Sequence, residues 1–146
     1  MSLFILDTDH ASLFLAGNKI VVEQVRQQVS DVVTTIITVQ ELYNGWAGRI
    51  NDPRESKNLV RIYGKLLQTT EFLKTIEILP FDESANICYE RLLLRHKSLA
   101  KKRLEKDVRI AAIALSIGST IGTRNHKDFS QIPDIKIVNW ADVTAH

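Results

Sequence analysis

The chain has 146 residues, of which 45% are hydrophobic and 25% charged, with three prolines and a formal net charge of +2 at pH 7. These values predict one globular domain over residues 1–146 and exclude a disordered or fibrous protein. The single cysteine, Cys88, excludes an intrachain disulfide and a thiolate zinc cluster. The absence of a long apolar run or a signal-peptide pattern predicts a cytoplasmic protein without membrane contact.

Strands and helices alternate along the chain, which predicts a parallel sheet covered on both faces. We expect about five strands, at residues 3–6, 32–37, 75–79, 120–122 and 135–138. Helices are predicted near 9–16, 19–28, 54–72, 83–97 and 106–117, with a turn at 125–129. A further helix follows the second strand. We expect Thr38 to cap it and Glu41 to lie in its first turn.

Four acidic residues stand where apolar runs meet polar stretches: Asp7, Glu41, Asp107 and Asp128. Doubly wound sheets place their ligand sites at the carboxyl ends of the strands, so we expect these acids to gather there. Asp107 begins an unusually apolar helix, which must be packed on most sides and would hold this carboxylate rigidly. Carboxylates gathered from distant parts of a chain are typical of metal sites for phosphodiester cleavage.

Hard oxygen ligands suit Mg²⁺, with Mn²⁺ as a substitute. One or two such ions would activate a water for in-line attack on phosphorus and stabilise the leaving oxygen. Because four like charges would crowd together without a nearby fixed cation, we expect at least one carboxyl to have a raised pKa.

Each acid also has an ordinary structural explanation. Asp7 or Asp9 caps the first helix in that interpretation, Asp107 caps the apolar helix, and the charge of Glu41 is favoured by the helix dipole. Asp128 would stabilise a turn. His10 and His126 are interpreted as packing or surface residues, since an oxygen-rich magnesium site does not require imidazole.

A basic cluster precedes Asp107 and is hidden by the small net charge: Arg91, Arg95, Lys97, Lys101, Lys102, Arg103, Lys106 and Arg109. Such a cluster attracts phosphate backbones, although a solvated helix face is the alternative. Candidate RNA phosphate contacts are Arg103, Lys106 and Arg124. Trp46 and Tyr43 have two interpretations, stacking on a base or packing in the core or between subunits.

Four short motifs occur in order along the chain. Residues 6–10 read Leu-Asp-Thr-Asp-His, residues 38–41 read Thr-Val-Gln-Glu ahead of Gly-Trp at 45–46, residues 107–114 read Asp-Val-Arg-Ile-Ala-Ala-Ile-Ala, and residues 123–129 read Thr-Arg-Asn-His-Lys-Asp-Phe. This combination resembles PIN-domain proteins, more narrowly VapC-type ribonuclease toxins of bacterial type II toxin-antitoxin pairs. The resemblance covers residues 3–140.

The resemblance implies a three-layer parallel α/β/α sandwich and a Mg²⁺- or Mn²⁺-dependent endoribonuclease. Such proteins are usually homodimers and are silenced by a VapB antitoxin. Asp7, Glu41 and Asp107 fall on the first three acidic positions of the family. Asp128 and Asn125 are alternatives for the fourth.

The remaining positions of the motifs are assigned supporting roles. Asp9, Thr123 and Asn125 are expected to support the metal ligands. Leu104 stands where related proteins often have glycine, which concerns the loop before Asp107 and not the acid itself.

The main functional hypothesis is a toxin that cleaves single-stranded or loop RNA, whose phosphodiesters and splayed bases are accessible. One alternative is a flap-type DNA nuclease or a housekeeping ribonuclease without an antitoxin. Another is a receiver-type module that binds Mg²⁺ without catalysis. A receiver needs a phosphoacceptor Asp at the end of its middle strand, but here residues 76–79 run into Pro80 and Phe81.

Overall fold

The structure is a computed structural model that describes residues 2–142. Its strands are β1 (Phe4–Leu6), β2 (Val32–Thr35), β3 (Glu77–Leu79), β4 (Thr120–Gly122) and β5 (Lys136–Val138). Its α-helices are α1 (Thr8–Leu15), α2 (Lys19–Gln27), α3 (Ile36–Ile50), α4 (Leu59–Leu73), α5 (Glu83–Arg95), α6 (Glu105–Ile117) and α7 (His126–Phe129). None of these helices combines the length and the apolar character needed to cross a bilayer.

The five strands form one parallel sheet in the order β3-β2-β1-β4-β5. Strand β1 is central, because Phe4 pairs with Val32 on one side and with Thr120 on the other. The helices cover both faces, as sequential parallel strands require crossover connections. The predicted parallel α/β/α sandwich with about five strands is therefore confirmed.

Two apolar clusters fill the two sides of the sheet. Ile5 and Leu6 are both fully buried but belong to different clusters, because successive side chains of a strand point to opposite faces. The larger cluster contains the buried residues of α6: Val108, Ile110, Ala111, Ala112, Ile113 and Ala114. The expectation that this helix is packed on most sides is confirmed, and its first turn is held by a rigid element.

The boundary between β2 and α3 differs from the prediction. The strand ends at Thr35, whose hydroxyl accepts a hydrogen bond from the Thr38 N–H at 3.2 Å and caps α3. Ile36 and Ile37 belong to the helix, although their β-branched side chains favour a strand. The expectations that Thr38 is the cap and that Glu41 lies in the first turn are therefore wrong. Glu41 lies in the second turn of α3.

Smaller differences concern the ends of other elements. Helix α4 begins at Leu59, later than predicted, because a 3-10 turn at Pro53–Glu55 precedes it. The segment expected to be a turn at 125–129 contains the short helix α7. Strand β3 begins at Glu77 and β5 at Lys136, each later than the apolar pattern indicates.

Two glycines allow a stability test with opposite expected signs. Gly118 ends α6 with a φ of 67°, where a side chain is strained, so Gly118→Ala is expected to destabilise the fold by about 1 kcal/mol. Gly64 lies inside α4 with open space around it, so Gly64→Ala is expected to stabilise by up to about 1 kcal/mol. Urea unfolding of both variants measures the difference. Shifts of the same sign would contradict this account of the two positions.

Candidate active site

The carboxyl edge of three adjacent strands brings the predicted residues together. Asp7 directly follows β1, Thr123 directly follows β4, and Glu41 lies on the helix that begins where β2 ends. Since the three strands are parallel neighbours, their carboxyl ends meet at one edge of the sheet. Asp107 in the first turn of α6 reaches the same edge through its contact with Asn125, which precedes α7.

Asp7 is the most buried of the acids, with 3% of its surface exposed. One carboxylate oxygen accepts the His10 N–H at 2.8 Å, which makes Asp7 the cap of α1. The Thr123 hydroxyl accepts the Asn125 N–H at 2.9 Å and donates its own hydrogen to Asp7. The pKa of Asp7 is raised to about 7, mainly by burial and to a smaller extent by the nearby charges of Asp9 and Asp107. The capping interpretation and a position at the acidic edge are thus compatible.

Asp107 is joined to Asp128 by one side-chain amide. The Nδ2 atom of Asn125 donates to a carboxylate oxygen of Asp107 at 3.0 Å and to one of Asp128 at 3.1 Å. The pKa of Asp107 is raised to about 6, mainly by burial and then by the charges of Glu41 and Asp128. Asp107 is not the cap of α6, because that position is occupied by Leu104. The structural explanation of Asp107 as a helix cap is therefore wrong.

Glu41 is held at the same edge by Thr8. The Thr8 hydroxyl donates to Oε1 of Glu41 at 2.5 Å and lies 3.3 Å from the Thr38 hydroxyl. This contact ties α3 to the first residue of α1. Thr8 was not among the predicted site residues, although its place between Asp7 and Asp9 was the available signal.

The expectation of at least one carboxyl with a raised pKa is confirmed for Asp7 and Asp107. Its stated cause was incomplete, because burial contributes more than the like charges do.

The expectation that no fixed cation stands nearby is wrong. Arg103 donates to Asp128 at 3.0 Å, and this bond, followed by that from Asn125, lowers the pKa of Asp128. Arg124 binds both carboxylate oxygens of Asp9, with its shortest contact at 2.6 Å. Burial raises the pKa of Asp9, but the bonds from Arg124 outweigh it and the net pKa is lowered. Two acids are therefore balanced by arginines.

Lys106 is the third candidate for phosphate binding. It is half-buried in the first turn of α6. Arg109, one turn along, pairs with Glu105 at 2.6 Å and lies over the ring of Tyr89 at 5.5 Å. The basic cluster is thus partly engaged within the protein, and Arg103 and Arg124 are cations that contact acids at this edge.

His10 is fully buried and uses both ring nitrogens inside the protein. Its Nε2 atom accepts the Trp140 N–H at 3.0 Å, so the ring hydrogen is on Nδ1, which faces Asp9 at 3.3 Å. Burial lowers the pKa of His10, which keeps the ring neutral. Gly122 makes room for the ring, since a Cβ there would lie 3.0 Å from Cδ2 of His10.

Ligand atoms of Asp7, Asp9 and His10 lie within 4.8 Å of one another. A cation bound by all three would have to displace the Trp140 N–H or the Asp9 contact from the imidazole. The carboxylates of Asp7, Glu41, Asp107 and Asp128 offer a different set of donor atoms. They are hard oxygen ligands, and two of them lie in surroundings that disfavour an uncompensated negative charge.

A family model described as PIN domain matches residues 4–135. No curated protein matches the sequence in a direct comparison.

Several solved structures share the fold. A chain of VapBC2 from Rickettsia felis, bound to a DNA fragment from its promoter, is 21% identical with a TM-score of 0.75, over 94% of this chain and 98% of that one. A chain of DNA-bound VapBC from Salmonella typhimurium is 26% identical with a TM-score of 0.69, over 96% and 99%. A chain of VapBC-1 from nontypeable Haemophilus influenzae is 24% identical with a TM-score of 0.74, over 96% and 99%.

The raised pKa of Asp7 makes stability depend on pH. The folded protein holds a proton that the unfolded chain releases near pH 4, so its free energy of unfolding falls as pH rises from about 4 to 7. Asp7→Asn removes this penalty and keeps an oxygen that can accept the His10 N–H. In EDTA, its stability advantage over the natural protein is expected to grow by roughly 2 kcal/mol between pH 5 and pH 8.

Urea unfolding at the two pH values measures this advantage. Asp134→Asn is the matched control, because Asp134 is exposed and its φ of 64° also suits asparagine. A pH-independent difference for Asp7→Asn would contradict the burial argument.

Proposed function

This chain belongs to the PIN-domain family, and from this premise we propose that it is a Mg²⁺- or Mn²⁺-dependent endoribonuclease and the toxin of a toxin-antitoxin pair. Members of the family are generally nucleases, so family membership supports hydrolysis of phosphodiester bonds. The observation that carries the proposal is the meeting of Asp7, Glu41 and Asp107 at one sheet edge, with raised pKa values at two of them.

We assign the metal ligands to Asp7, Glu41, Asp107 and Asp128. When bound, Mg²⁺ would supply positive charge to the phosphate oxygens and a water acidic enough to act as nucleophile. The carboxyls of Asp7 and Asp107 must lose their protons to act as ligands, so loading the site releases protons and is favoured by higher pH.

The surrounding polar groups fix the orientation of these acids. Asp7 is held by the His10 N–H and Thr123, and Glu41 by Thr8. Asn125 directs its amide nitrogen at Asp107 and Asp128, so it orients both acids. This bridging role favours Asp128 over Asn125 as the fourth ligand. Preorganised ligands need little rearrangement during the reaction.

The two arginines at the edge are suited to the substrate backbone. The side chains of Arg103 and Arg124 are 56% and 53% exposed while each holds a carboxylate. Guanidinium groups bind phosphate through two parallel hydrogen bonds. We assign Arg103 and Arg124 to phosphate binding, with Lys106 as a further positive charge at the start of α6.

Single-stranded or loop RNA is the proposed substrate, because its phosphodiesters and bases are accessible to an edge of this kind. A flap-type DNA nuclease would use the same acids and remains the competing substrate assignment. The receiver-type alternative was tested on β3 as the middle strand, but β3 lies at an edge of the sheet and the central strand, β1, is followed by Asp7. The match to the PIN-domain family is therefore what argues against a receiver. Asp82, after β3, caps α5 by accepting the Ala85 N–H at 2.9 Å.

An antitoxin partner is proposed because the similar solved structures are VapBC complexes. The acidic edge attracts a basic group, so we infer that a cognate VapB-like antitoxin covers it and inserts a basic side chain among the carboxylates. A homodimer of the toxin is proposed on the same family grounds. A housekeeping ribonuclease without an antitoxin is the alternative.

The activity test uses labelled tRNA, structured RNA and single-stranded DNA with Mg²⁺ or Mn²⁺. We expect cleavage of RNA but not DNA, and a loss of about 100-fold or more for Asp7→Asn and Asp107→Asn, as is typical when a group that stabilises transition-state charge is removed. EDTA should abolish cleavage.

Asp134→Asn serves again as the control for loss of a distant carboxylate and should cleave RNA normally. Cleavage of DNA alone would favour the flap-type alternative. Equal activity of Asp7→Asn, Asp107→Asn and the natural protein would reject the assigned ligands.

The antitoxin proposal is tested with the product of a short open reading frame adjacent to the gene. Co-purified partner is expected to suppress RNA cleavage, and replacement of its inserted Arg or Lys by Gln should restore cleavage at least tenfold by leaving the carboxylates uncovered. Unchanged inhibition by every such variant would mean that the partner, if it binds, acts away from the acidic edge.

A further inference from the structure

A cleft of about 320 Å³ opens directly beside the acidic edge. It begins at Thr8 and Glu41, the hydrogen-bonded pair described above, and continues between α1 and α3 toward α4. Its walls are mainly apolar, with Leu15 on α1 and Leu42 on α3. A ligand in this cleft would therefore be in contact with one of the proposed metal ligands.

Trp46 forms a rigid wall of the cleft. Its indole N–H donates to the Thr69 hydroxyl on α4 at 2.9 Å, which fixes the ring between the two helices. Tyr43 is tied to α4 in the same way, by a 2.8 Å contact with Thr70, but it does not line the cleft. The two aromatic residues thus share helix packing, and Trp46 alone of the pair also faces the cleft.

Two cations stand at the side of the cleft away from Glu41. The Arg49 guanidinium lies 5.5 Å from the centre of the Trp46 ring and pairs with Glu55 at 3.3 Å. Lys65 reaches the cleft from α4. The cleft therefore has one carboxylate, that of Glu41, at the end next to the acidic edge, an aromatic and apolar middle, and positive charge from Arg49 and Lys65.

We propose that this cleft binds the base of one unpaired nucleotide adjacent to the cleaved phosphodiester. The inference rests on the proposed ribonuclease function and names how its substrate is held. The base stacks against Trp46, the cleaved phosphate lies at the carboxylates, and the next phosphate lies near Arg49 and Lys65.

The size and polarity of the cleft support this occupant. Its volume is near the lower end of the range of about 300–1,000 Å³ for small-molecule sites, which suits a single base and not a base pair. The Ser12 hydroxyl can donate to or accept from a base edge, and the Thr8 oxygen, whose hydrogen goes to Glu41, can accept. Arg49, although paired with Glu55, and Lys65 give this end of the cleft positive charge, which complements a phosphate better than an apolar peptide.

Gly45 provides a direct way to fill the cleft. It lies on α3, lines the cleft, and has open space where a Cβ would be. Gly45→Leu should retain the fold, because leucine favours a helix more than glycine does. Gly48→Leu is the matched control: Gly48 is on the same helix, also has open space, and does not line the cleft.

Cleavage of single-stranded RNA with Mg²⁺ is the first readout. Gly45→Leu is expected to reduce kcat/KM by about 5- to 150-fold, the range that corresponds to loss of one base–aromatic stack. Gly48→Leu should cleave as the natural protein does, and both variants should unfold at or above its midpoint. Normal cleavage by Gly45→Leu would overturn the proposal while leaving the ribonuclease function intact.

Binding of nucleoside monophosphates, followed by tryptophan fluorescence, is independent of cleavage. The chain has two tryptophans, and Trp140 is only 4% exposed, so quenching should arise from Trp46 and vanish in Trp46→Phe. With Mg²⁺ present, a nucleoside monophosphate is expected to bind about 5- to 150-fold more tightly than ribose 5-phosphate, which lacks the base. Gly45→Leu should remove this preference.

The results of these experiments distinguish failure of the base-binding site from failure of the ribonuclease function. Equal binding of ribose 5-phosphate, or an unchanged base preference in Gly45→Leu, would reject the base site. Binding of an apolar helical peptide in place of nucleotides would make the cleft a protein-docking groove and would also reject it. Base-dependent binding without cleavage of any RNA would retain the site and reject the proposed ribonuclease function.

Discussion

The structure depends on a buried carboxyl group at the end of its central strand. Asp7 continues the ladder of β1, since its N–H donates to the Gly122 carbonyl at 3.2 Å, and its side chain caps α1. The sheet thus fixes the backbone of Asp7, and the helix fixes its carboxylate. A group held in this way cannot turn toward solvent to lose its desolvation penalty, so the penalty remains until a proton or a cation compensates the charge.

The acids at the edge differ in whether an arginine contacts them. Arg103 and Arg124 neutralise Asp128 and Asp9, which lie toward the surface. The deeper acids, Asp7 and Asp107, have no arginine in hydrogen-bonding contact within residues 2–142. Permanent side-chain cations at the deeper positions would compete with a metal ion. Because the two arginines contact Asp128 and Asp9, they leave Asp7 and Asp107 free to act as ligands of the proposed metal ion.

Much of the fold could be predicted from local patterns, and the β2–α3 boundary shows where such patterns fail. The apolar run ending at Asp7 and the alanine-rich helix after Asp107 are set by hydrophobic periodicity, which a sequence displays directly. Ile36 has the β-branched side chain of a strand residue, yet Thr35 caps a helix there because the chain must turn at the sheet edge. The acids and two of their partners, Thr123 and Asn125, were identified from the sequence, but the pairing of Asp9 with Arg124 and of His10 with Trp140 was not. Arg124 is 115 positions from Asp9 and Trp140 is 130 from His10, so no local spacing relates them.

The residues allowed at positions 10, 122 and 140 depend on one another. Loss of the imidazole would leave the Trp140 N–H buried without its acceptor, whereas a side chain at Gly122 would crowd the imidazole, with its Cβ 3.0 Å from Cδ2. Replacing one residue at a time would therefore pass through either a crowded contact or an unsatisfied donor. Among descendants of this sequence, we therefore expect positions 10 and 122 to covary, even though 111 residues separate them along the chain.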